Sequence, residues 1–147
     1  MQNPVAKRLY DKGVEHLSQG KTLPALSCFE QALKKEDSPS IWSYYAFCIA
    51  KERGQIKKAM LLCKEALERE PDNAVHYLNL GRIYLFTRKK AEAITIFREG
   101  LNHKAHEQII DELNKLVPRK PPVISFLKRA NPINKYLGII LRILRLR

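Results

Sequence analysis

The stretch from residue 74 to 105 constrains the fold more than any other part of this 147-residue chain. It carries two sets of residues at helical spacing: Tyr77, Leu80, Gly81 and Tyr84, then Ala93, Phe97 and Gly100. Residues three and four apart share one face of a helix, so each set predicts one helix. The small residues let the two backbones approach, and the large ones fill the spaces between them. The stretch therefore predicts a helical hairpin that needs neighbours to bury its apolar face.

Two similar stretches lie upstream. The nearer one carries Trp42, Tyr45, Ala46, Ile49, Ala59, Cys63, Ala66 and Pro71, and the farther one carries Leu9, Gly13, His16, Gly20, Ala25, Phe29 and Ala32. The step from Gly13 to Ala25 is twelve residues, as is that from Gly81 to Ala93, whereas the step from Ala46 to Ala59 is thirteen. We therefore place one extra residue near Arg53, before Gly54, in the first helix of the middle hairpin.

This pattern resembles the signature of the tetratricopeptide repeat (TPR) family over about residues 6–105. His16 and Ile49 stand where the family has Tyr, and Asp37 and Ala105 stand where it has the closing Pro. The resemblance implies an all-α, right-handed solenoid of three helical hairpins, at about 6–38, 39–73 and 74–105. The segment 118–138 also resembles the ending of small bacterial TPR proteins, and that likeness carries no known activity.

Capping residues predict where the helices begin and end. We expect Thr22 to cap the second helix, Ser38 followed by Pro39 to start the third, and Gly54 to end it. Either Asp72 or Asn73 should cap the fifth helix, which we expect to end near Arg88.

A seventh helix is predicted at 106–117, where it would cover the last hairpin. Its expected apolar face carries Ile109, Ile110, Leu113 and Leu116, and its expected solvent face carries Glu107, Asp111, Glu112 and Lys115. Residues 1–117 thus form the predicted repeat domain. Residues 118–147 form a predicted proline-rich linker followed by a basic amphipathic C-terminal helix.

Charge separates these two parts. The net charge is +12, and residues 113–147 hold nine Lys and Arg residues without any Asp or Glu. Such asymmetry points to an anionic partner for the tail, with an anionic membrane surface or an acidic protein as the alternatives. The tail cations expected to make this contact are Lys128, Arg129, Lys135, Arg142, Arg145 and Arg147. Its richness in Leu and Ile disfavours nucleic acid, and the C-terminal helix is also a candidate for homo-oligomer formation.

Catalytic, cofactor-binding and metal-binding motifs are missing from the sequence, so we predict no enzyme activity, no cofactor and no metal. His103 and His106 are spaced three apart but lack further ligands. The cysteines, Cys28, Cys48 and Cys63, fall within helices and form no CxxC pair, which indicates reduced thiols. With no apolar run near the ~20 residues that span a bilayer, we expect a cytoplasmic protein, or a peripheral one on the inner face of a membrane.

The resemblance also implies a binding groove lined by the first helix of each hairpin. The family's groove positions fall on Tyr10, Val14, Tyr44, Phe47, Lys51, Leu78, Asn79, Arg82 and Phe86. Tyr10 and Val14 occupy places where some members use Lys and Asn to clamp a carboxylate, so that clamp is not supported. The implied function is a non-enzymatic adaptor that holds an apolar peptide or helix of another protein. The alternatives are a peripheral membrane protein anchored by its tail, and a groove that is partly core.

Overall fold

The structure, a computed structural model, describes residues 2–116 together with Ile139. Residues 2–116 form seven α-helices: α1 (Pro4–Ser18), α2 (Thr22–Leu33), α3 (Pro39–Arg53), α4 (Ile56–Arg69), α5 (Ala74–Phe86), α6 (Lys90–His103) and α7 (Glu107–Leu116). Consecutive helices pair as three hairpins, α3 packs beside α5, and α7 packs on α6. This arrangement confirms the predicted helical solenoid. None of the helices in the described residues is long and apolar enough to cross a membrane.

Close contact between a glycine and a phenylalanine joins the two helices of the outer hairpins. A Cβ atom at Gly13 would lie 2.7 Å from the ring of Phe29, and one at Gly81 would lie 2.2 Å from the ring of Phe97. Only glycine can occupy these places while the rings stay where they are. In the middle hairpin the equivalent residues are Ala46 and Cys63, both fully buried, so the smaller side chain at 63 leaves room for a methyl group at 46.

The predicted extra residue lies at the end of α3. At the end of α1 the amide of Lys21 donates to the carbonyl of His16, five residues back, and Lys89 donates to Tyr84 in the same way. At the end of α3 the amide of Gln55 donates to Ile49, six residues back. One additional residue therefore fits between Ile49 and the turn, as the sequence predicted.

Each hairpin turns through one residue with a positive φ angle. These residues are Gly20, Gly54 and Arg88, with φ of 74°, 65° and 62°. In the third hairpin Arg88 adopts a conformation that favours glycine, and it lies in the turn itself, beyond the end of α5 at Phe86. The helix therefore ends two residues before Arg88, near which the sequence placed its end.

The capping predictions for Gly54 and Asn73 are confirmed, and the one for Thr22 is wrong. Asn73 caps α5, its side chain accepting a hydrogen bond from the amide of Val75, and Gly54 ends α3 in the left-handed conformation. Ser38 does precede Pro39 at the start of α3, although its side chain makes no capping bond. The prediction for Thr22 was wrong, because Thr22 is the first residue of α2 and follows the cap position at Lys21. Its hydroxyl instead accepts a hydrogen bond from Lys51 Nζ at 2.9 Å, which links α2 to α3.

The seventh helix covers the last hairpin, with Ile109 fully buried near Tyr77 and Phe97. Glu107, Asp111 and Lys115 are exposed as expected. The prediction for Glu112 was wrong, because this residue turns inward and its carboxylate lies 3.4 Å from Arg82 Nε. In addition, Ile110 remains 40% exposed, so the apolar face of α7 is narrower than predicted.

A polar cluster around one buried histidine joins the second and third hairpins. The carboxylate of Glu70 lies 3.1 Å from Nε2 of the fully buried His76 and accepts a hydrogen bond from Asn73 Nδ2 at 2.8 Å. Burial lowers the pKa of His76 below its ordinary value, and the nearby Glu70 only partly offsets this effect. Burial raises the pKa of Glu70, but hydrogen bonds from Asn73 and His76 outweigh it and leave that pKa below the ordinary range.

The turn at Gly54 yields a prediction about stability. We expect Gly54→Ala to lower the free energy of unfolding by about 1–2 kcal/mol, because an alanine Cβ is unfavourable in the left-handed region. Beyond the two adjacent residues, no atom lies within 4 Å of the added Cβ position, so the cost is conformational alone. Gly54→Asn should cost less, since asparagine tolerates this region better. Urea titration followed by circular dichroism measures both variants, and an alanine tolerated as well as asparagine would contradict the assignment.

The buried histidine yields a prediction about pH. Because His76 stays neutral in the folded state, the unfolded chain binds the extra proton as the pH falls below histidine's ordinary pKa of about 6.5. Stability should therefore be full above that pH and decline in the window below it, towards the lowered pKa of His76 in the folded state. His76→Gln removes this titration and should flatten the decline in that window, as measured by urea titrations at several pH values. A wild-type stability that stays constant across the window would refute this explanation.

Candidate site on the concave face

Three half-buried side chains occupy equivalent places in the first helices of the three hairpins. Val14 lies on α1, Phe47 on α3 and Arg82 on α5. Arg82 extends over Phe47, with 5.8 Å between its guanidinium carbon and the centre of the ring. Side chains from different helices thus form one row, which we call the central row. The row combines apolar surface with one cation.

Beneath the central row, the deeper predicted groove residues belong to the core. Tyr44 is buried, stacks on Phe29 with ring centroids 5.3 Å apart, and meets Tyr10 edge-on at 5.5 Å. Burial and the adjacent Tyr44 raise the pKa of Tyr10 above its ordinary value, so this phenol is neutral at physiological pH. Leu78 is fully buried within the core of the third hairpin. These side chains support the concave face from below.

Asn79 is buried as well and makes a polar link between hairpins. Its Nδ2 donates a hydrogen bond of 3.0 Å to the hydroxyl of Ser43 on α3, and both side chains are fully buried. The bond connects α3 to α5 directly. In this structure Asn79 holds two first helices together and is not exposed to a partner.

Two predicted groove residues lie at the exposed edge of the face. Phe86, at the end of α5, is 50% exposed, which is unusual for a large aromatic side chain. Lys51, near the end of α3, is exposed and donates to Thr22. Together with Ser18 of α1, these residues form a second row at the equivalent place in each helix, which we call the edge row.

Arg82 determines the electrostatics of the central row. Its guanidinium carries a permanent positive charge and is 23% exposed, and the carboxylate of Glu112, 19% exposed, comes from α7 to meet it. Burial raises the pKa of Tyr44, while the charge of Arg82 acts in the opposite direction. Burial lowers the pKa of His106, and Arg82 lowers it further. One cation therefore influences groups on α3, on α7 and just before α7.

The sequence did not indicate that Glu112 belongs to this site. Helical spacing places Glu112 three residues after the buried Ile109, which in hindsight puts both on neighbouring parts of one face. The acidic side chain suggested the solvent face instead. Glu112 turns inward because it pairs with a cation on another helix, Arg82. The periodicity of one helix does not reveal such a partner.

The cysteines form no reactive site. Cys28, Cys48 and Cys63 are free and buried. Burial raises the pKa of Cys48 and of Cys63 to about 12, so both thiols stay protonated near neutral pH. Because the thiolate is the nucleophile and the metal ligand, these two residues act as small apolar core residues.

The two histidines considered for a metal are engaged differently. His103 places Nδ1 2.9 Å from the carboxylate of Asp72 and stacks on Tyr77. His106 has a buried Nδ1 that has no hydrogen-bond partner in the structure. Within the described part of the chain, no three His, Cys, Asp or Glu side chains group as a metal site would require.

The tail cations Lys128, Arg129, Lys135, Arg142, Arg145 and Arg147 lie outside the described residues.

Comparison with known proteins identifies the fold. A family model described as tetratricopeptide repeat matches residues 50–113. The search of curated protein sequences returned no match. Among solved structures, the Sgt2 TPR domain from Aspergillus fumigatus is 16% identical with a TM-score of 0.60, covering 90% of this chain and 95% of its own.

Two further structures are similar over 76% of this chain. The first TPR of Spaghetti (RPAP3), bound to the HSP90 peptide SRMEEVD, is 20% identical with a TM-score of 0.56 and is covered over 90% of its length. The structure of Naa15/Naa10 bound to HypK-THB is 24% identical with a TM-score of 0.65, and this chain spans only 17% of that chain. The family match over residues 50–113 and the shared hairpin architecture agree with the residue pattern, and the chain has the fold of tetratricopeptide repeat proteins.

Proposed function

We propose that this chain is a non-enzymatic interaction module that holds an apolar peptide or helix of another protein on its concave face. The observation that carries the proposal is the alignment of the central row, Val14, Phe47 and Arg82, beside the exposed Phe86. Large apolar side chains that remain accessible beside a fixed cation are typical of peptide-binding grooves. The half-buried Tyr10 and the buried Tyr44, Leu78 and Asn79 support this surface and are not counted among its contacts.

Related folds give this proposal its precedent. The first TPR of Spaghetti was solved with an HSP90 peptide, and the second TPR domain of RPAP3 was solved with the HSP70 peptide SGPTIEEVD. In the chain described here, Tyr10 and Val14 replace two polar groups of the carboxylate clamp implied by the family resemblance. We therefore propose a ligand whose main contacts are apolar, with a single polar contact at Arg82.

The edge row provides a test that leaves the fold intact. Peptides selected from a display library by the full chain should lose about tenfold or more in affinity for Phe86→Ser, because one large aromatic contact is removed. Fluorescence anisotropy with a selected peptide measures the change. Leu61→Ser is the matched control, because Leu61 is 67% exposed on α4, a second helix of a hairpin.

The control should bind as the wild type does, and both variants should melt at nearly the wild-type temperature. An equal loss of affinity in the two variants, or none in either, would contradict binding at the concave face. Phe47 is a poorer choice for this test, since it also packs against the core.

A second candidate function is attachment of the tail to an anionic membrane surface. The supporting observation is that nine cations and no acids follow Glu112. Each basic residue near an anionic surface contributes about 1 kcal/mol, and added salt screens that contribution. This candidate is compatible with the first, because the concave face and the tail use different residues.

Vesicle binding tests the tail. The full chain should co-sediment with vesicles containing phosphatidylglycerol at low salt and dissociate as the salt concentration rises. Replacing Arg142 and Arg145 together with glutamine should weaken binding by about 2 kcal/mol, roughly thirtyfold, for two lost charges. Replacing Lys57 and Lys58 of the repeat domain with glutamine is the charge-matched control. Absence of binding at low salt would rule this candidate out.

A further inference from the structure

Arg82 and Glu112 form an ion pair that leaves part of the guanidinium without an acidic partner. It lies at the centre of the concave face, where the ligand of the proposed function would bind, and this inference rests on that function. The contact is a single one of 3.4 Å through Nε, whereas a guanidinium offers five donors in a fork that fits a carboxylate in a two-bond arrangement. Glu112 therefore satisfies Arg82 only in part.

The surroundings of the pair favour exchange of the carboxylate. Both side chains are about one-fifth exposed, so solvent and small solutes reach them. Among the described residues, Glu112 is the one carboxylate within ion-pair distance of Arg82, and the centre of the Phe47 ring lies 5.8 Å from the guanidinium carbon. A second carboxylate approaching from the open side would meet a positive charge and an aromatic surface together. An aromatic wall also restricts the guanidinium, which lowers the ordering cost of binding.

The element that supplies Glu112 is α7, which packs on α6. It is anchored by the fully buried Ile109, three residues before Glu112, while Ile110, Asp111 and Lys115 face solvent. The anchor does not depend on the ion pair, so Glu112 can swing away from Arg82 while α7 stays in place. Helix α7 thus supplies an acidic ligand for Arg82 in the central row.

We propose that Glu112 is an internal competitor, and that a bound partner places an acidic side chain on Arg82 in its stead. The partner's chemistry follows from the site: a peptide or helix with a carboxylate beside an apolar or aromatic side chain. The carboxylate takes the position of Glu112, and the apolar neighbour packs against Phe47 and Phe86. Competition by Glu112 raises the apparent Kd of every acidic ligand in inverse proportion to the fraction of time that Arg82 is free. Ligands without an acid gain nothing from displacing it.

Acetate is a probe that isolates this step from the rest of the groove. The full-length chain is titrated with sodium acetate while the Nε–Hε resonance of Arg82 is followed by NMR, with sodium chloride at equal ionic strength as the reference. We expect Glu112→Gln to bind acetate with an apparent Kd about threefold or more lower than that of the wild type, since the competitor is removed. Asp111→Asn, which removes an exposed carboxylate one residue away, should leave the apparent Kd unchanged.

Three results of the acetate titration would contradict competition by Glu112. An equal apparent Kd in the wild type and Glu112→Gln would overturn the proposal, as would a chloride titration that produces the same shift. Absence of a saturable shift in both would overturn it too. If Glu112→Gln fails to fold, Glu112→Asp keeps the charge but shortens the side chain, and the same decrease in Kd is expected. The concave-face function is tested separately through Phe86, so a failure of the competition can be told apart from a failure of the binding face.

Discussion

The contact between Gly81 and Phe97 sets the distance between the two helices of the third hairpin, and the rest of the array depends on that distance. A methyl group at residue 81 would lie 2.2 Å from a ring atom, far inside van der Waals contact. Gly13 and Phe29 repeat the arrangement in the first hairpin. The middle hairpin packs Ala46 against Cys63 instead. Its first helix carries a larger side chain than glycine at this place, and its second helix carries a smaller one than phenylalanine. Gly100 on α6 lies between Tyr77 and Ile109. A Cβ atom there would lie 2.6 Å from Tyr77 and 3.1 Å from Ile109.

This spacing explains why the concave face has the composition that it has. Once each hairpin is closed by its glycine or alanine, the first helices come together, and Ser43 and Asn79 can form their buried bond. The side chains that remain on the open side are those of the central and edge rows. Arg82 is held there by Phe47 and Glu112, which belong to different helices. The site is therefore a product of the solenoid and not of any single helix.

The hairpins, their phase and the extra residue in α3 could be predicted from the sequence, because spacing within one helix determines them. Gly54 and Asn73 were predictable for the same local reason. Thr22 was misassigned because a hydroxyl near a helix start can either cap the helix or bind a neighbour, here Lys51. Leu78 and Asn79 were expected to line the groove, yet contacts between helices bury both. Such contacts depend on how hairpins stack, which the periodicity of one helix does not encode.

A double-mutant cycle on the contact between residues 81 and 97 tests the central claim most directly. Gly81→Ala, Phe97→Leu and the double variant are compared by urea titration, with Gly20→Ala in place of Gly81→Ala as the control, since its added Cβ meets nothing within 4 Å. We predict a coupling of about 1 kcal/mol or more between 81 and 97, because the smaller leucine relieves the clash with alanine. The cycle with Gly20 should be additive. Additivity in both cycles would contradict the claim that this contact sets the spacing of the hairpin.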